Sequence, residues 1–350
     1  MDGEAIVISK LIIRPRNLRE WCCNRMMRLV LHRPLVKFLP RWFMHRCFQP
    51  SNLVYVSAAV EDGIVVSPGK LNLLIGHSGC GKSVFMGALA GFLPSCSKAS
   101  TKPEGQLTYW GERILDGQMH LDSYGFLHRI SSALSRKDAS VVYVPQILPL
   151  VKDLKVNELM LDIVRGHGAV GVRREKLEED LKNELAGLDN GIDFNKELSK
   201  LSGGQRRKVE LAACKCVVNK KKGPCLLLLD EPTTGLDRCS AKKFFEALKG
   251  LLRDESVRNR LCVVLATHVP HFVEEVFDDF DVFGVCRDRN GVDVTGKDGE
   301  NATGKGRAED ADGKDEEMDT RIYISVKKLK KREGRWLWDD VYKQLEEEAS

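Results

Sequence analysis

The stretch that decides the fold is Gly76-His77-Ser78-Gly79-Cys80-Gly81-Lys82-Ser83. It fits G-x-x-x-x-G-K-[ST] at every fixed position, follows an apolar run over 71–75, and opens a helix-like stretch that begins at Val84. Glycines let the backbone curl so that successive N–H groups point at phosphate oxygens, and the helix start adds partial positive charge. Lys82 offers an ammonium group for the β and γ phosphates, and Ser83 offers a hydroxyl for Mg²⁺. The whole stretch from Gly76 to Val84 is therefore predicted to bind phosphate.

Length and composition favour a globular chain with one large domain and appendages. No uncharged apolar run approaches the roughly 18 residues that a membrane-spanning helix needs, so no such helix is expected within these residues. The eleven cysteines are scattered without zinc-site spacing, which favours reduced thiols in an intracellular compartment.

The basic character of the chain is concentrated at its start. Residues 1–50 hold ten Lys/Arg against three Asp/Glu, whereas the remainder is slightly acidic, so no direct nucleic-acid partner is expected. Within this basic arm, apolar residues recur at helical spacing over about 18–33. Four interpretations stay open: a helix on an anionic membrane surface, an Arg-rich targeting segment, a coupling piece against a membrane partner, and an ordinary extension packed on the domain.

A second set of polar residues follows the predicted strands. Gln146 comes after the apolar run 141–144, at the carboxyl end where ligands bind in open α/β sheets, and could reach Mg²⁺ or the water beside the γ phosphate. The apolar run 225–229 ends in Asp230 and Glu231, which suit Mg²⁺ binding and activation of the attacking water respectively. Another run, 261–267, presents His268, whose position favours a γ-phosphate contact.

A second glycine-rich helix start lies at Leu201-Ser202-Gly203-Gly204-Gln205. Such a start is itself an anion-binding feature, and one chain does not need two of them for one phosphate group. We therefore expect this stretch to cap a nucleotide held by another subunit. Within the phosphate loop, Cys80 lies at a helix N-terminus, where thiol pKa values are lowered, so alkylation is expected to inhibit activity and ATP to protect.

The remaining segments carry weaker signals. Residues 115–140 are predicted to be irregular, residues 287–319 a disordered linker rich in Gly and charge, and residues 320–350 a short structured tail that packs back or meets a partner. Tyr55 is the candidate, by position only, for stacking on adenine. The nucleotide-binding domain is predicted over 51–286, with a helical subdomain at about 147–208.

The order of the phosphate loop, Gln146, Ser202–Gln205, Asp230–Glu231 and His268 resembles that of the ATP-binding-cassette (ABC) ATPases over residues 53–286. The segments 154–159, 233–237, 268–270 and 277–281 look most similar to the subfamily G, or White-type, half-transporters. The resemblance implies an α/β fold: a P-loop NTPase cassette with a mixed or parallel core sheet, an antiparallel β subdomain and an inserted helical subdomain.

The resemblance also implies a role for each site residue. Lys82 and Ser83 would bind phosphate and Mg²⁺, with Gln146 sensing both; Asp230 would support Mg²⁺; Glu231 would act as general base; and His268 would contact the γ phosphate. Ser202, Gly203, Gly204 and Gln205 would close over ATP from the opposite subunit, with Asp237 at the dimer seam. Because no catalytic position is degenerate, hydrolysis is expected as well as binding.

The predicted function is that of an ATP-hydrolysing subunit of an ABC-type transporter. A second ABC subunit and a separate or missing transmembrane domain are the expected partners, at the cytoplasmic face of a membrane, with the basic arm as a membrane-surface or organellar-targeting element. The alternative is a soluble ABC ATPase acting on a ribosome or another complex, and a third interpretation is a module that binds ATP without turnover.

Overall fold

The computed structural model describes residues 6–13, 56–91, 104–118, 123–146, 154–167, 172–288, 323–331 and 335–347. Within these ranges ten strands form one mixed sheet, in the order β5-β4-β1-β2-β10-β9-β3-β8-β7-β6. The strands are β1 (Ile6–Ile13), β2 (Val56–Val66), β3 (Leu71–Ile75), β4 (Glu104–Tyr109), β5 (Glu112–Gln118), β6 (Ser140–Val144), β7 (Cys225–Asp230), β8 (Leu261–Ala266), β9 (Phe280–Asp288) and β10 (Tyr323–Leu329).

Helices cover the sheet and form a separate layer beside it. They are α1 (Lys82–Leu89), α2 (Ser123–Arg136), α3 (Val156–Gly166), α4 (Arg174–Leu188), α5 (Gly203–Lys220), α6 (Arg238–Arg253), α7 (Glu255–Arg258), α8 (Pro270–Glu274) and α9 (Trp338–Glu347). A short 3-10 turn, Leu198–Lys200, precedes α5. No helix in the described ranges has both the length and the apolar character needed to cross a bilayer.

The parallel part of the sheet positions the site. Strand β3 pairs in parallel with β8 and β9, and β7 pairs in parallel with β6 and β8. Every residue of β3, β7 and β8 is buried, which is why their sequences are continuous apolar runs without alternation. Because the strands are parallel, their carboxyl ends meet at one edge of the sheet.

The antiparallel strands and the helical layer complete the predicted architecture. Strands β5, β4, β1 and β2 pair antiparallel with one another, in that order. Helices α3, α4 and α5 bury one apolar face each, and these faces join the core cluster that also covers β7 and β8. The predicted fold class, with a mixed sheet, an antiparallel β part and an added helical part, is confirmed.

The structure moves the predicted start of the domain, residue 51, toward the N-terminus. Strand β1 lies inside the segment predicted as a basic arm, and it pairs with both β2 and β4, with Ile6 and Ile8 fully buried. The domain therefore includes residues well before position 51. Tyr55, the predicted helix over 18–33 and almost all of the linker 287–319 lie outside the described residues.

The predicted C-terminal tail is an integral part of the domain. Strand β10 lies between β9 and β2 and so joins the parallel and antiparallel parts of the sheet. Trp336 and Leu345 are buried in the main core cluster. The prediction of irregular structure over 115–140 was also wrong, because α2 buries Phe126, Ile130 and Ala133 at helical spacing.

Candidate active site

The phosphate loop joins the end of β3 to the start of α1, as the glycine spacing predicts. Gly79 has φ +79° and Gly81, the residue that caps α1, has φ +107°, a left-handed backbone that side chains with Cβ rarely adopt. The buried ammonium group of Lys82 donates hydrogen bonds to the carbonyl oxygens of Gly76 at 2.8 Å and His77 at 3.1 Å. The first turn of α1 contains no acidic residue, so its N-terminal end stays positive.

Asp230 lies at the end of β7, opposite Ser83. Its carboxyl group is almost fully buried, and the hydroxyl group of Tyr143 donates a hydrogen bond to Oδ2 at 3.2 Å. Burial raises the pKa of Asp230, and the neighbouring Ser83 and Tyr143 hydroxyls and the charge of Lys82 only partly oppose this shift. The other oxygen, Oδ1, is buried without a hydrogen-bond partner in the part of the chain that the structure describes. An unsatisfied carboxylate oxygen beside a serine hydroxyl is a donor set that Mg²⁺ accepts.

Glu231 and His268 meet at the ends of two neighbouring strands. The Glu231 side chain is buried, and its Oε2 atom lies 2.7 Å from Nδ1 of His268 and accepts the backbone N–H of His268 at 3.3 Å. The imidazole side chain is 56% exposed. Glu231 has a left-handed backbone with φ 49°, which turns the chain sharply after β7. The structure thus brings together two residues that are 37 positions apart in the sequence.

Gln146 is held through its backbone by a residue that the sequence analysis missed. The guanidinium group of Arg207, on α5, donates hydrogen bonds to the carbonyl oxygens of Pro145, at 3.2 Å, and of Gln146. The same group forms a buried ion pair with Glu210 at 2.6 Å. Gln146 itself is exposed. An Arg and a Glu three positions apart on an otherwise apolar helix face is the signal that could have identified this anchor.

The second glycine-rich stretch is a capped helix start on the surface. The backbone N–H of Gln205 donates to Oγ of Ser202 at 3.2 Å, and the backbone N–H of Ser202 donates to Oε1 of Gln205 at 3.1 Å. This reciprocal pair is a capping box, which fixes the first turn of α5. A Cβ placed on Gly204 would lie 3.3 Å from Leu236, the residue before Asp237.

Asp237 lies beside this stretch and caps the next helix, α6. Its carboxylate accepts hydrogen bonds from the backbone N–H of Ser240 at 2.9 Å and from the Ser240 hydroxyl at 2.7 Å. These hydrogen bonds lower the pKa of Asp237. Ser202, Gly203 and Asp237 are exposed, and Gly204 and Gln205 are half-buried. The other predicted site residues, Lys82, Asp230, Glu231 and His268, lie at the strand-end edge.

The predicted lowering of the Cys80 pKa was wrong, whereas inhibition by alkylation and protection by ATP stay predictions. The thiol is 5% exposed, and burial raises its pKa, with the Lys82 charge only partly opposing the shift. The position at a helix N-terminus predicted a lowered pKa, but the side chain packs beneath the loop instead of facing solvent. A Cβ placed on Gly76 would lie only 2.7 Å from the Cys80 sulfur.

Comparison with known proteins finds similarity to one family over part of the chain. The family model described as ABC transporter matches residues 63–234. The chain is 25% identical to the ribose import ATP-binding protein RbsA of Oceanobacillus iheyensis, over 70% of this chain and 42% of that protein. It is 26% identical to the phosphate import ATP-binding protein PstB of Desulfitobacterium hafniense, over 61% of this chain and 73% of that protein. It is 32% identical to the Nod factor export ATP-binding protein I of Burkholderia thailandensis, over 65% and 63% respectively.

Solved ATP-binding cassettes also match this chain, at low identity. A nucleotide-free ATP-binding cassette from an ABC transporter has a TM-score of 0.44 and 20% identity, covering 63% of this chain and 79% of that chain. A dimeric bacterial ABC transporter cassette has a TM-score of 0.46 and 19% identity, covering 67% and 88%.

The similarity supports the ATPase domain but not the predicted subfamily. The relatives named above are import and export ATP-binding proteins, so the assignment to subfamily G has no support from them. The match spans less than half of the ribose import protein. The family match over residues 63–234, together with the phosphate loop and the strand-end carboxylates, supports an ABC transporter ATPase domain.

Proposed function

We propose that the chain binds and hydrolyses MgATP as the ATPase subunit of an ABC-type transporter. The observation that supports this proposal is the edge of the parallel sheet. There, the phosphate loop follows β3, Asp230 and Glu231 follow β7, and His268 follows β8. The subfamily G assignment is not part of the proposal.

The loop from Gly76 to Val84 would hold the phosphate chain. Its backbone N–H groups and the positive end of α1 suit oxyanions, and the buried ammonium group of Lys82 would exchange its two carbonyl partners for phosphate oxygens. Ser83 and Asp230 would hold Mg²⁺, with Gln146 approaching from the end of β6. Bound there, Mg²⁺ neutralises charge on the β and γ phosphate oxygens.

Glu231 is the candidate general base. Its buried carboxylate has one oxygen held by His268, which fixes the side chain at the strand-end edge. In this position it would accept the proton of a water molecule that attacks the γ phosphate. His268, being more than half exposed, can contact the phosphate while it keeps Glu231 oriented.

The site would be completed by a second ABC subunit, either another copy of this chain or a different one. The start of α5 suits the γ phosphate of a nucleotide held by the other subunit. It comprises Ser202, Gly203, Gly204 and Gln205, and Asp237 lies beside it. Arg207 links this helix to the backbone of Gln146, so movement of one segment would be transmitted to the other. A separate transmembrane protein, contacted at the cytoplasmic face of a membrane, would use that movement.

A complementation experiment tests both hydrolysis and dimerisation. Lys82→Ala removes the loop ammonium but leaves the Ser202–Gln205 stretch intact, whereas Gly204→Asp places a negative charge in that stretch and leaves the loop intact. Each variant alone is expected to lose MgATPase activity. A mixture should regain activity, because a mixed dimer contains one intact composite site.

The outcomes separate the two parts of the proposal. Loss of activity in both variants without recovery on mixing would contradict a composite site formed by two copies of this chain but keep the ATPase. Absence of MgATP hydrolysis by the wild-type chain, alone and with membranes from its source, would contradict the ATPase. Glu231→Gln serves as the matched control, since it should hydrolyse poorly while still binding ATP.

A further inference from the structure

Helix α9 packs beside the phosphate loop, although it belongs to the last residues that the structure describes. Leu345 is 1% exposed, and a Cβ on Gly284 of β9 would lie 2.7 Å from its methyl group. At the other end of the helix, Nε1 of Trp338 donates a hydrogen bond to Glu274 at 2.9 Å. The helix is therefore anchored to β9 and α8 independently of the loop.

The anchored helix contacts the second residue of the loop directly. Nε2 of His77 lies 3.2 Å from the carbonyl oxygen of Tyr342 and 3.5 Å from Oε1 of Glu346. The His77 and Tyr342 rings meet edge to face, with centroids 5.3 Å apart. The C-terminal turn of α9 is thus placed at the rim of the loop that the proposed function assigns to phosphate.

Tyr342 places this contact close to the catalytic residues. Its hydroxyl oxygen is buried and has no hydrogen-bond partner within the described residues. Burial, with the charges of Glu231 and Cys80 adding to it, raises the pKa of Tyr342 to about 12. The carboxylate proposed as the general base thus acts electrostatically on this phenol.

The charges in the last turn of α9 are unfavourable at the end of a helix. Its last turn contains Glu346 and Glu347 and no basic residue, at the end where a helix already carries partial negative charge. That end lies against His77, whose backbone carbonyl oxygen accepts a hydrogen bond from the ammonium group of Lys82. The acidic turn therefore lies at the rim of a loop whose chemistry suits an anion.

We propose that the acidic C-terminal turn of α9, defined by Glu346 and Glu347, is an intramolecular competitor of the nucleotide phosphates at the loop. This inference rests on the proposed nucleotide binding. The turn would lie against His77 until the triphosphate, which carries more negative charge and contacts the whole loop, displaces it. The helix would then restrain binding and turnover until nucleotide or a partner moves its end.

A pair of charge-neutralising variants tests the proposal. Glu346→Gln with Glu347→Gln is expected to tighten MgATP binding about threefold to tenfold at low ionic strength, because two like charges leave the rim of the site. Asp339→Asn removes a charge from the opposite end of the same helix and should leave the Kd unchanged. The gain should shrink when NaCl is raised to about 0.5 M, where the Debye length is a few ångströms. Equal affinity of the double variant and wild type overturns the proposal.

Hydrogen exchange provides a second, independent measurement on the full wild-type chain. If ATP displaces the acidic turn, amides within 341–347 should exchange faster after MgATP is added, while amides of β9 do not. Slower or unchanged exchange overturns the competition. Failure of both wild type and double variant to bind MgATP would overturn the proposed function as well, whereas normal binding without a difference between them would overturn only this inference.

Discussion

Oε2 of Glu231 lies 2.7 Å from Nδ1 of His268, and this contact joins the carboxyl ends of the neighbouring strands β7 and β8. The carboxylate also accepts the backbone N–H of His268. Its position is therefore set by the backbone N–H and the ring nitrogen of His268 on the adjacent strand end. A general base held in this way can act only if the residue that holds it remains in place.

The first prediction is that Glu231 and His268 act as one unit. Glu231→Gln should lower kcat of MgATP hydrolysis by about 10²- to 10⁴-fold, and His268→Ala by a comparable factor, because the proton acceptor is removed in one case and loses its orientation in the other. The double variant should lose little more than either single variant. His271→Ala, at an exposed histidine three positions on, is the control and should retain activity. Multiplicative losses in the double variant would contradict the prediction.

The second prediction concerns the thiol inside the phosphate loop. Cys80 is buried with a raised pKa, whereas Cys239 is an exposed free thiol. Because only the thiolate is nucleophilic, iodoacetamide at pH 7.5 should modify Cys239 much faster than Cys80. Mass spectrometry of peptides sampled over time measures both rates, and unfolding in urea should make them equal. Comparable rates in the folded protein would show that the loop opens readily.

Local patterns predicted most of the strand-end edge. The glycine spacing around Lys82 and the apolar runs before Asp230, Glu231 and His268 are short-range signals, and parallel pairing brings their ends together. The position of Gln146 at the end of β6 was predicted in the same way. Its anchoring by Arg207 was not predicted, because that hydrogen bond joins residues 61 positions apart.

Distant pairing explains what the sequence did not predict. Strand β10 pairs with β9 across the charged segment 287–319, whose composition indicated the end of the domain. Strand β1 pairs with β2 across a gap of more than forty residues. For Cys80, the helix-terminus effect was outweighed by burial, which depends on how the side chain packs beneath the loop.

The third prediction is that the ionised side chain of Asp230 lowers the stability of the fold. Burial raises its pKa above that of the unfolded chain, so ionised Asp230 destabilises the fold above the ordinary Asp pKa of about 3.9. Asp230→Asn should therefore raise Tm in the absence of Mg²⁺ and nucleotide, and this gain should grow as pH rises and fade as pH falls toward 4. The same variant should lose Mg²⁺-dependent hydrolysis by about 10²-fold or more.

Asp254 offers a matched control for that experiment. It is exposed, and hydrogen bonds from Ser256 lower its pKa, so its carboxylate stabilises the fold above the ordinary Asp pKa. Asp254→Asn should leave Tm unchanged or lower it, the opposite sign to Asp230→Asn, and should leave hydrolysis intact. A lower Tm for Asp230→Asn at neutral pH would contradict the third prediction. Scanning calorimetry at pH 5, 7 and 8 measures both variants.

The fourth prediction concerns the buried pair of Arg207 and Glu210. Arg207→Met should lower the free energy of unfolding by about 3–5 kcal/mol, because it leaves the Glu210 carboxylate buried without its partner. Burial already raises the pKa of Glu210, and Arg207 opposes that shift. Without Arg207 the pKa should rise further, so the loss should be larger at pH 8 than at pH 5, where the carboxylate takes up a proton more readily.

Stability and activity should separate when Glu210 is also replaced. Arg207→Met with Glu210→Met removes both charges and should recover most of the lost stability. It should not recover full MgATPase activity, since the carbonyl oxygens of Pro145 and Gln146 still lack the guanidinium group that holds them. Arg206→Met, which removes a single hydrogen bond to Leu198, is the control and should cost about 1 kcal/mol. Full activity in the stabilised double variant would show that Arg207 supports only the fold and does not position Gln146.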